Sequence, residues 1–233
     1  MAAAATAVLS SLALKGVLEK SRSAFEAAVG PLELRFDATR AIVERLAQGA
    51  RADVLILAAE ALEELRQRGA VTGVRALGSS GVGLAVRAGA PKPDIGSTEA
   101  LVRALVAANS VAHSKVGASG LYFHSLIERF GIADKLKKRI VVEKGPVGLV
   151  VASGEAEIGV QQLCELAPVP GIDIVGPLPA PLQTLTYFSA GIAVQAKNPQ
   201  AARKLIDLLT SDETRAAMLE GGMQPAADRA FLS

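Results

Sequence analysis

Tryptophan is absent from this 233-residue chain, aromatic residues make up only 3% of it, and it holds one cysteine and two histidines. So few aromatic rings argue against a stacking platform for bases or sugars. A single cysteine, Cys164, excludes an internal disulfide framework. His113 and His124 have no cysteine near them in sequence, so the short ligand spacing of a zinc or iron site is missing and no metal is expected. Charge of one sign is missing as well. Lys and Arg number 25 against 23 Asp and Glu, a net +2, which leaves no basic face for nucleic acid or an anionic membrane.

Ready-made catalytic motifs are lacking too. Gly117-Ala118-Ser119-Gly120-Leu121 lacks the last glycine of a G-x-S-x-G elbow. Gly81-Val82-Gly83-Leu84-Ala85-Val86 fails the dinucleotide fingerprint, and there is no G-x-x-x-x-G-K-[ST] phosphate loop. No cofactor is expected. The most apolar stretch, Met1 to Leu14, meets Lys15 before it reaches the ~18 residues of a membrane span. No basic residue precedes it, so it does not read as a secretory signal. The expected location is periplasmic if a signal peptide has been removed, and otherwise cytoplasmic.

Half of the residues are hydrophobic, enough to bury a core and exclude disorder. They fall in alternating strand and helix patterns. Thr6–Leu9 is a short apolar strand, and Leu12–Val29 follows at mostly helical spacing until Gly30-Pro31 stops it. Leu32–Phe36 alternates like a half-exposed strand, and Asp53–Leu57 is a continuous apolar run, with helices over 39–48 and 61–68. The β-α-β-α-β-α order predicts a parallel sheet with helices on both faces. Gly78–Val86 breaks the rhythm with glycine and serine before a strand. A second β/α run then covers 98–166, with helices over 98–108, 119–130, 147–152 and about 161–166, and strands over 110–113, 140–142 and 157–160. The proline-rich stretch 168–181 reads as an extended linker, 184–194 as a strand, and 199–210 and 212–220 as two last helices.

The fold class expected is α/β, with two lobes, each a β-sheet flanked by helices, hinged by two extended crossings near Gly78–Gly83 and Gln183–Tyr187. Lobe one takes 1–82 and 184–233, lobe two 83–183, and the cleft between them is the expected binding site. Small polar residues cluster at strand-to-helix junctions: Ser10-Ser11, Asp37-Ala38-Thr39, Ser114 to Gly120, and Gln161-Gln162. Ligands of parallel α/β sheets sit at the carboxyl ends of strands, where helix N-termini offer free N–H donors to an anion. Any one such junction alone reads as an ordinary N-cap; the case for a ligand rests on several of them converging. Arg40, Lys115 and His113 lie beside the junctions as candidate counter-charges, although each alone reads as a solvated surface residue.

Several segments carry a resemblance. Val8 to Lys15, Phe25-Glu26, Gly49 to Val54, Arg87 to Asp94, Ala118-Ser119-Gly120, Gly154 to Gly159, Val175 to Pro179 and Lys197-Asn198-Pro199 are similar to the type II periplasmic solute-binding proteins, in particular the molybdate-binding branch. The resemblance covers nearly the whole chain in order. It implies a two-lobe fold that closes on a small anion (molybdate, tungstate or an organic acid) and presents it to an ABC permease. It further implies hydroxyl donors at Ser10 or Ser11, Thr39, Ser119 and Tyr187, and backbone N–H donors at Ala38 and Ala118. The chain departs from that branch at Asp37-Ala38-Thr39-Arg40, where Gly-Ser-Ser or similar is usual. Asp37 would repel a dianion, while Arg40 and Lys115 would attract a carboxylate. The Gln161-Gln162 pair resembles a sub-branch that includes aconitate isomerase. The expected function is thus anion capture for ABC-type uptake. The alternatives are an isomerase moving a proton on an unsaturated polycarboxylate, with His113, Lys115 and Glu165 as its candidate groups, or a cytoplasmic ligand sensor.

Overall fold

A computed structural model describes residues 5–227. Residues 1–4, the start of the apolar N-terminal stretch, lie outside the described residues. The chain forms two compact units, one of residues 1–79 with 186–233 and the other of residues 80–185.

The first unit begins with β1 (Thr6–Ser11), a 3-10 turn at Leu12–Leu14, α1 (Lys15–Lys20) and α2 (Arg22–Val29). The single helix expected over 12–29 is therefore broken at Ser21. Its two halves serve different neighbours, since α1 packs on α10 and α2 on α9, both defined below. Gly30, at φ 85°, turns the chain out of α2. There follow β2 (Leu32–Asp37), α3 (Thr39–Ala47), β3 (Val54–Ala58), α4 (Ala59–Gln67) and β4 (Val71–Arg87). Strand β4 is 17 residues long and runs without interruption through Gly78–Gly83, where a break was expected. Small residues are needed there because neighbours come close: a Cβ on Gly78 would stand 2.5 Å from the carbonyl oxygen of Gln224.

The second unit continues with α5 (Thr98–Ala107), β5 (Val111–Ser114), α6 (Ala118–Arg129), β6 (Arg139–Val142), α7 (Val147–Ala152), β7 (Ile158–Gln162), α8 (Leu163–Leu166) and β8 (Ile172–Pro177). Strand β8 lies inside the expected proline-rich linker. Its apolar residues Ile172, Ile174 and Val175 fall between the prolines, and Pro177 closes it, so the prolines mark its ends and leave the ladder intact. The chain returns to the first unit with β9 (Leu185–Ala193), α9 (Pro199–Leu209), α10 (Asp212–Glu220) and β10 (Gln224–Pro225).

In the first unit β1 pairs in parallel with both β2 and β3, and β9 runs antiparallel to β3. Leu9, Ile42, Leu55, Leu57, Leu62 and Val74 form its core against α3 and α4. Asp53, 4% exposed, ties the unit together: its carboxylate accepts the N–H of Ala7 at 2.8 Å and that of Lys197 at 2.5 Å. Helix α9 starts on Pro199 behind an Asn198 cap (Oδ1 accepting Ala201 N–H at 3.1 Å) and buries Ala201, Ala202, Leu205, Ile206 and Leu209 at helical spacing.

In the second unit β5 pairs in parallel with β6 and β7, while β7 and β8 flank β4 in antiparallel register. Both sheets are thus mixed, parallel at the strands that carry junctions and antiparallel elsewhere. The second core gathers Leu84, Leu101, Leu105, Phe123, Leu126 and Val160. Each such buried side chain contributes roughly 1.5–3 kcal/mol.

Candidate functional site

Each unit has its own group of strand-end donors. In the first unit Ser10 and Ser11 end β1 in full burial or nearly so, at 0% and 4% exposure. The Ser10 hydroxyl donates to the carbonyl of Ser11 at 2.9 Å, and Ser11 Oγ accepts the N–H of Ala13 at 3.3 Å. Ser10 therefore spends its proton on the backbone, while that of Ser11 stays available. At the end of β2, Asp37 Oδ1 accepts the N–H of Ala38 at 2.8 Å, and Asp37 Oδ2 pairs with Arg45. The Ala38 N–H expected to serve a ligand is thus engaged, and the charge of Asp37 is met by a guanidinium. Thr39 Oγ1 accepts the N–H of Ala58 at 3.1 Å, which fixes the hydroxyl at the end of β3 with its own proton still to give. Arg40 does not face this group: it is 72% exposed and pairs with Glu44 one turn along α3. Tyr187 stands on β9 with 60% exposure.

In the second unit the parallel strands β5 and β7 are neighbours, His113 standing opposite Val160, so their carboxyl ends lie side by side. Ser114 Oγ accepts the N–H of Gly117 at 3.1 Å and holds the turn into α6. Helix α6 has no side-chain cap, and Ala118 and Ser119 occupy its first turn, Ala118 exposed and Ser119 buried at 3%. Gly120 sets how close this turn comes. A Cβ there would lie 1.9 Å from the Ser114 carbonyl oxygen, so only glycine lets the first turn of α6 rest on the end of β5.

His113 points away from a ligand-accepting role. Its Nδ1 donates to the Ser114 carbonyl at 3.0 Å, its ring lies 5.3 Å from that of Phe123, and its buried Nε2 has no partner. Burial holds the imidazole below its ordinary pKa. Lys115 reaches Glu143 at 2.9 Å, both side chains being more than half exposed.

At the end of β7, Gln161 (1% exposed) and Gln162 (2%) point polar groups into the interior. Gln161 Oε1 accepts the N–H of Val147 at 2.7 Å, and its Nε2 donates to Glu165 Oε2. Glu165 is half-buried, and removal from water pushes its carboxyl up to about 7, the Gln161 bond pulling the other way. Behind it, the N–H of Cys164 donates to Ser80 Oγ at 3.1 Å, and burial pushes the Cys164 thiol well above its usual range.

Sequence patterning does not single out Ser80 or the carboxamide of Gln183. The latter bonds Val82 twice, accepting its N–H and donating to its carbonyl, each at 2.9 Å. The glycine at position 81 was the available signal, since a Cβ there would meet that carboxamide at 2.9 Å.

Among the described residues no helix is long and apolar enough to cross a membrane. Each unit by itself offers neutral donors, hydroxyls and one uncapped helix N-terminus (α3 in the first, α6 in the second), with Arg40 and Lys115 paired at the surface. Such donors suit an anion held without a formal counter-charge.

The chain is 39% identical over 228 residues to an aconitate isomerase from Pseudomonas sp., covering 94% of this chain and 87% of that protein. In structure it is similar to the periplasmic molybdate-binding protein of Azotobacter vinelandii (TM-score 0.73, 20% identity, 94% of this chain and 98% of that one). It is also similar to the sulfate-binding protein SubI of Mycobacterium tuberculosis (TM-score 0.70, 15% identity, 97% and 82%). At those identities the two structures speak for the fold alone. The family model for bacterial extracellular solute-binding proteins matches residues 6–224, and this chain belongs to that family.

Proposed function

We propose that this protein binds a small organic polycarboxylate of the aconitate type and, as a periplasmic binding protein, supplies it to an ABC permease. The observation that carries the reading is the 39% identity to an aconitate isomerase across 94% of the chain, about twice the identity to the oxyanion-binding structures. In this reading the hydroxyls of Ser114 and Ser119 and the N–H groups opening α6 in the second unit donate to carboxylate oxygens, and in the first unit Ser11, Thr39, Tyr187 and the N–H groups opening α3 offer donors of the same kind.

A second reading is turnover, an isomerase that moves a proton along an unsaturated polycarboxylate. The name of the relative favours it, as does a carboxyl held near neutrality at Glu165. Thermal shifts with molybdate, tungstate, sulfate, citrate, cis-aconitate and trans-aconitate separate the readings. A ligand at 100 times its Kd stabilises by about 2.7 kcal/mol. Stabilisation by polycarboxylates is expected; stabilisation by metal oxyanions alone would overturn the proposal. Appearance of trans-aconitate from cis-aconitate, followed by chromatography, establishes turnover. In the responding ligand, Ser119→Ala is expected to weaken Kd about tenfold, one charge-assisted hydrogen bond, with an unchanged melting temperature.

A further inference from the structure

Glu165 is a half-buried carboxyl of the second unit that is paired with no cation. Its setting fixes which oxygen can carry a proton. Gln161 Oε1 accepts the N–H of Val147 at 2.7 Å, and a carbonyl oxygen is the only amide atom that can do so. The amide nitrogen is thereby turned to Glu165, where it donates to Oε2. Oε2 is then an acceptor, and any proton on the carboxyl sits on Oε1, which has no partner among the described residues.

The charged groups around it do not alter this. Helix α8, which carries Glu165, packs on α7, β7 and β8 and meets β4 at Ser80 and Gly83, and the two arginines of β4, Arg75 and Arg87, are not among the causes of the Glu165 shift. Neither α7 (Val-Gly-Leu-Val-Val-Ala) nor β7 (Ile-Gly-Val-Gln-Gln) has a titratable side chain. On β8 the only one is Asp173, whose carboxylate accepts the N–H of Gly89 at 2.9 Å. Within α8 itself Cys164 stays a thiol throughout the physiological range. No Lys, Arg or His contributes to the protonation of Glu165; desolvation and the single amide bond account for it.

We propose that Glu165 is a specificity-determining donor, entering the complex as a neutral carboxyl whose Oε1–H donates to a carboxylate oxygen of the bound anion, so that each anion is taken up together with one proton. This rests on the reading of the ligand as a polycarboxylate held at the strand ends of the second unit. The balance is simple: ionised Glu165, one proton from solvent and the anion give a complex in which the carboxyl is neutral. A carboxyl that titrates near 7 in the free protein needs little free energy to take that proton at neutral pH, and an arriving anion raises its proton affinity further. The position of Glu165 supports contact with the ligand, because it follows β7 directly and the end of β7 lies beside that of β5, where Ser114 and Ser119 stand.

Isothermal titration at pH 7.5 in two buffers of different ionisation enthalpy, with trans-aconitate and citrate as probes, counts the protons directly. Between about half and one proton taken up per anion is expected, and Kd should weaken roughly tenfold per pH unit above pH 7.5. In Glu165→Gln the uptake falls to zero and Kd varies less than about twofold between pH 7 and 8.5. Binding by the unaltered protein without proton uptake, or uptake retained in Glu165→Gln, overturns this proposal and leaves the ligand class standing. Absence of heat with either probe overturns the ligand class and this proposal with it. The proton count on the unaltered protein needs no variant to fold.

Discussion

Two carboxyls, the buried Asp53 of the first unit and the half-buried Glu165 of the second, are held in different ways. Asp53 in the first unit accepts backbone N–H groups from Ala7, Lys197 and Asn198, which belong to segments far apart in sequence. Glu165 in the second unit accepts a single side-chain amide and is pushed up to about 7. The first is a structural tie. The second has one side-chain partner and a second oxygen with no partner among the described residues. The same contrast extends to the junctions. Charges at the end of β2 are met locally, Asp37 by Arg45 and Arg40 by Glu44, whereas the end of β7 is lined by buried neutral carboxamides.

Removing the structural tie should break the first unit and spare the second. Asp53→Ala leaves backbone donors unsatisfied inside the unit, and a loss of about 3 kcal/mol is expected in urea unfolding, with Asp53→Asn intermediate. If the loss stays below about 1 kcal/mol, the tie is not structural and the contrast with Glu165 disappears.

A smaller effect separates two titrating groups within the second unit. The folded-state pKa of His113 is lowered, so the unfolded chain binds the proton more readily and stability is lost as pH falls from 6.5 through the folded value. The pKa of Glu165 is raised, so its contribution is complete below about 4.5 and is lost as pH rises through about 7. His113→Leu should therefore flatten the acid side of the stability profile below pH 6.5, leaving the alkaline side unchanged. Thermal melts across that range check it.

The smallest effect belongs to Arg40. It pairs with Glu44 at 72% exposure, so Arg40→Ala should change stability by less than about 0.5 kcal/mol and ligand affinity by less than about twofold. A tenfold loss of affinity in titration would place Arg40 in the binding group and blur the difference between the units.

Much of the fold was legible because apolar periodicity reports burial directly. The continuous run at 53–57 and the 201/205/209 spacing of α9 fall where the strand and helix form. Two elements misled for physical reasons. Glycine and serine at 78–81 look like a break, yet their small size answers close neighbours within one strand. The prolines of 168–181 look like a linker, yet they border β8. The candidate site was legible as a set of junctions and less so as roles. Arg40 and Glu44 stand one turn apart on the expected helix, so their pairing was legible, whereas the bonds of Thr39 to Ala58 and of Gln161 to Val147 join separate elements and were not.

What the sequence determined by itself is a near-neutral chain, poor in aromatics and without a ready-made catalytic motif, with small polar residues at its strand-to-helix junctions. Those conclusions follow from residue type and spacing, which local chemistry fixes. Only the tertiary structure decided which polar groups are already engaged, because hydrogen-bond partners such as Gln161 and Val147, or Thr39 and Ala58, are brought together by strand pairing and helix packing. The same packing, by drawing Glu165 out of water beside a single amide, turned an ordinary carboxyl into one that titrates near neutrality.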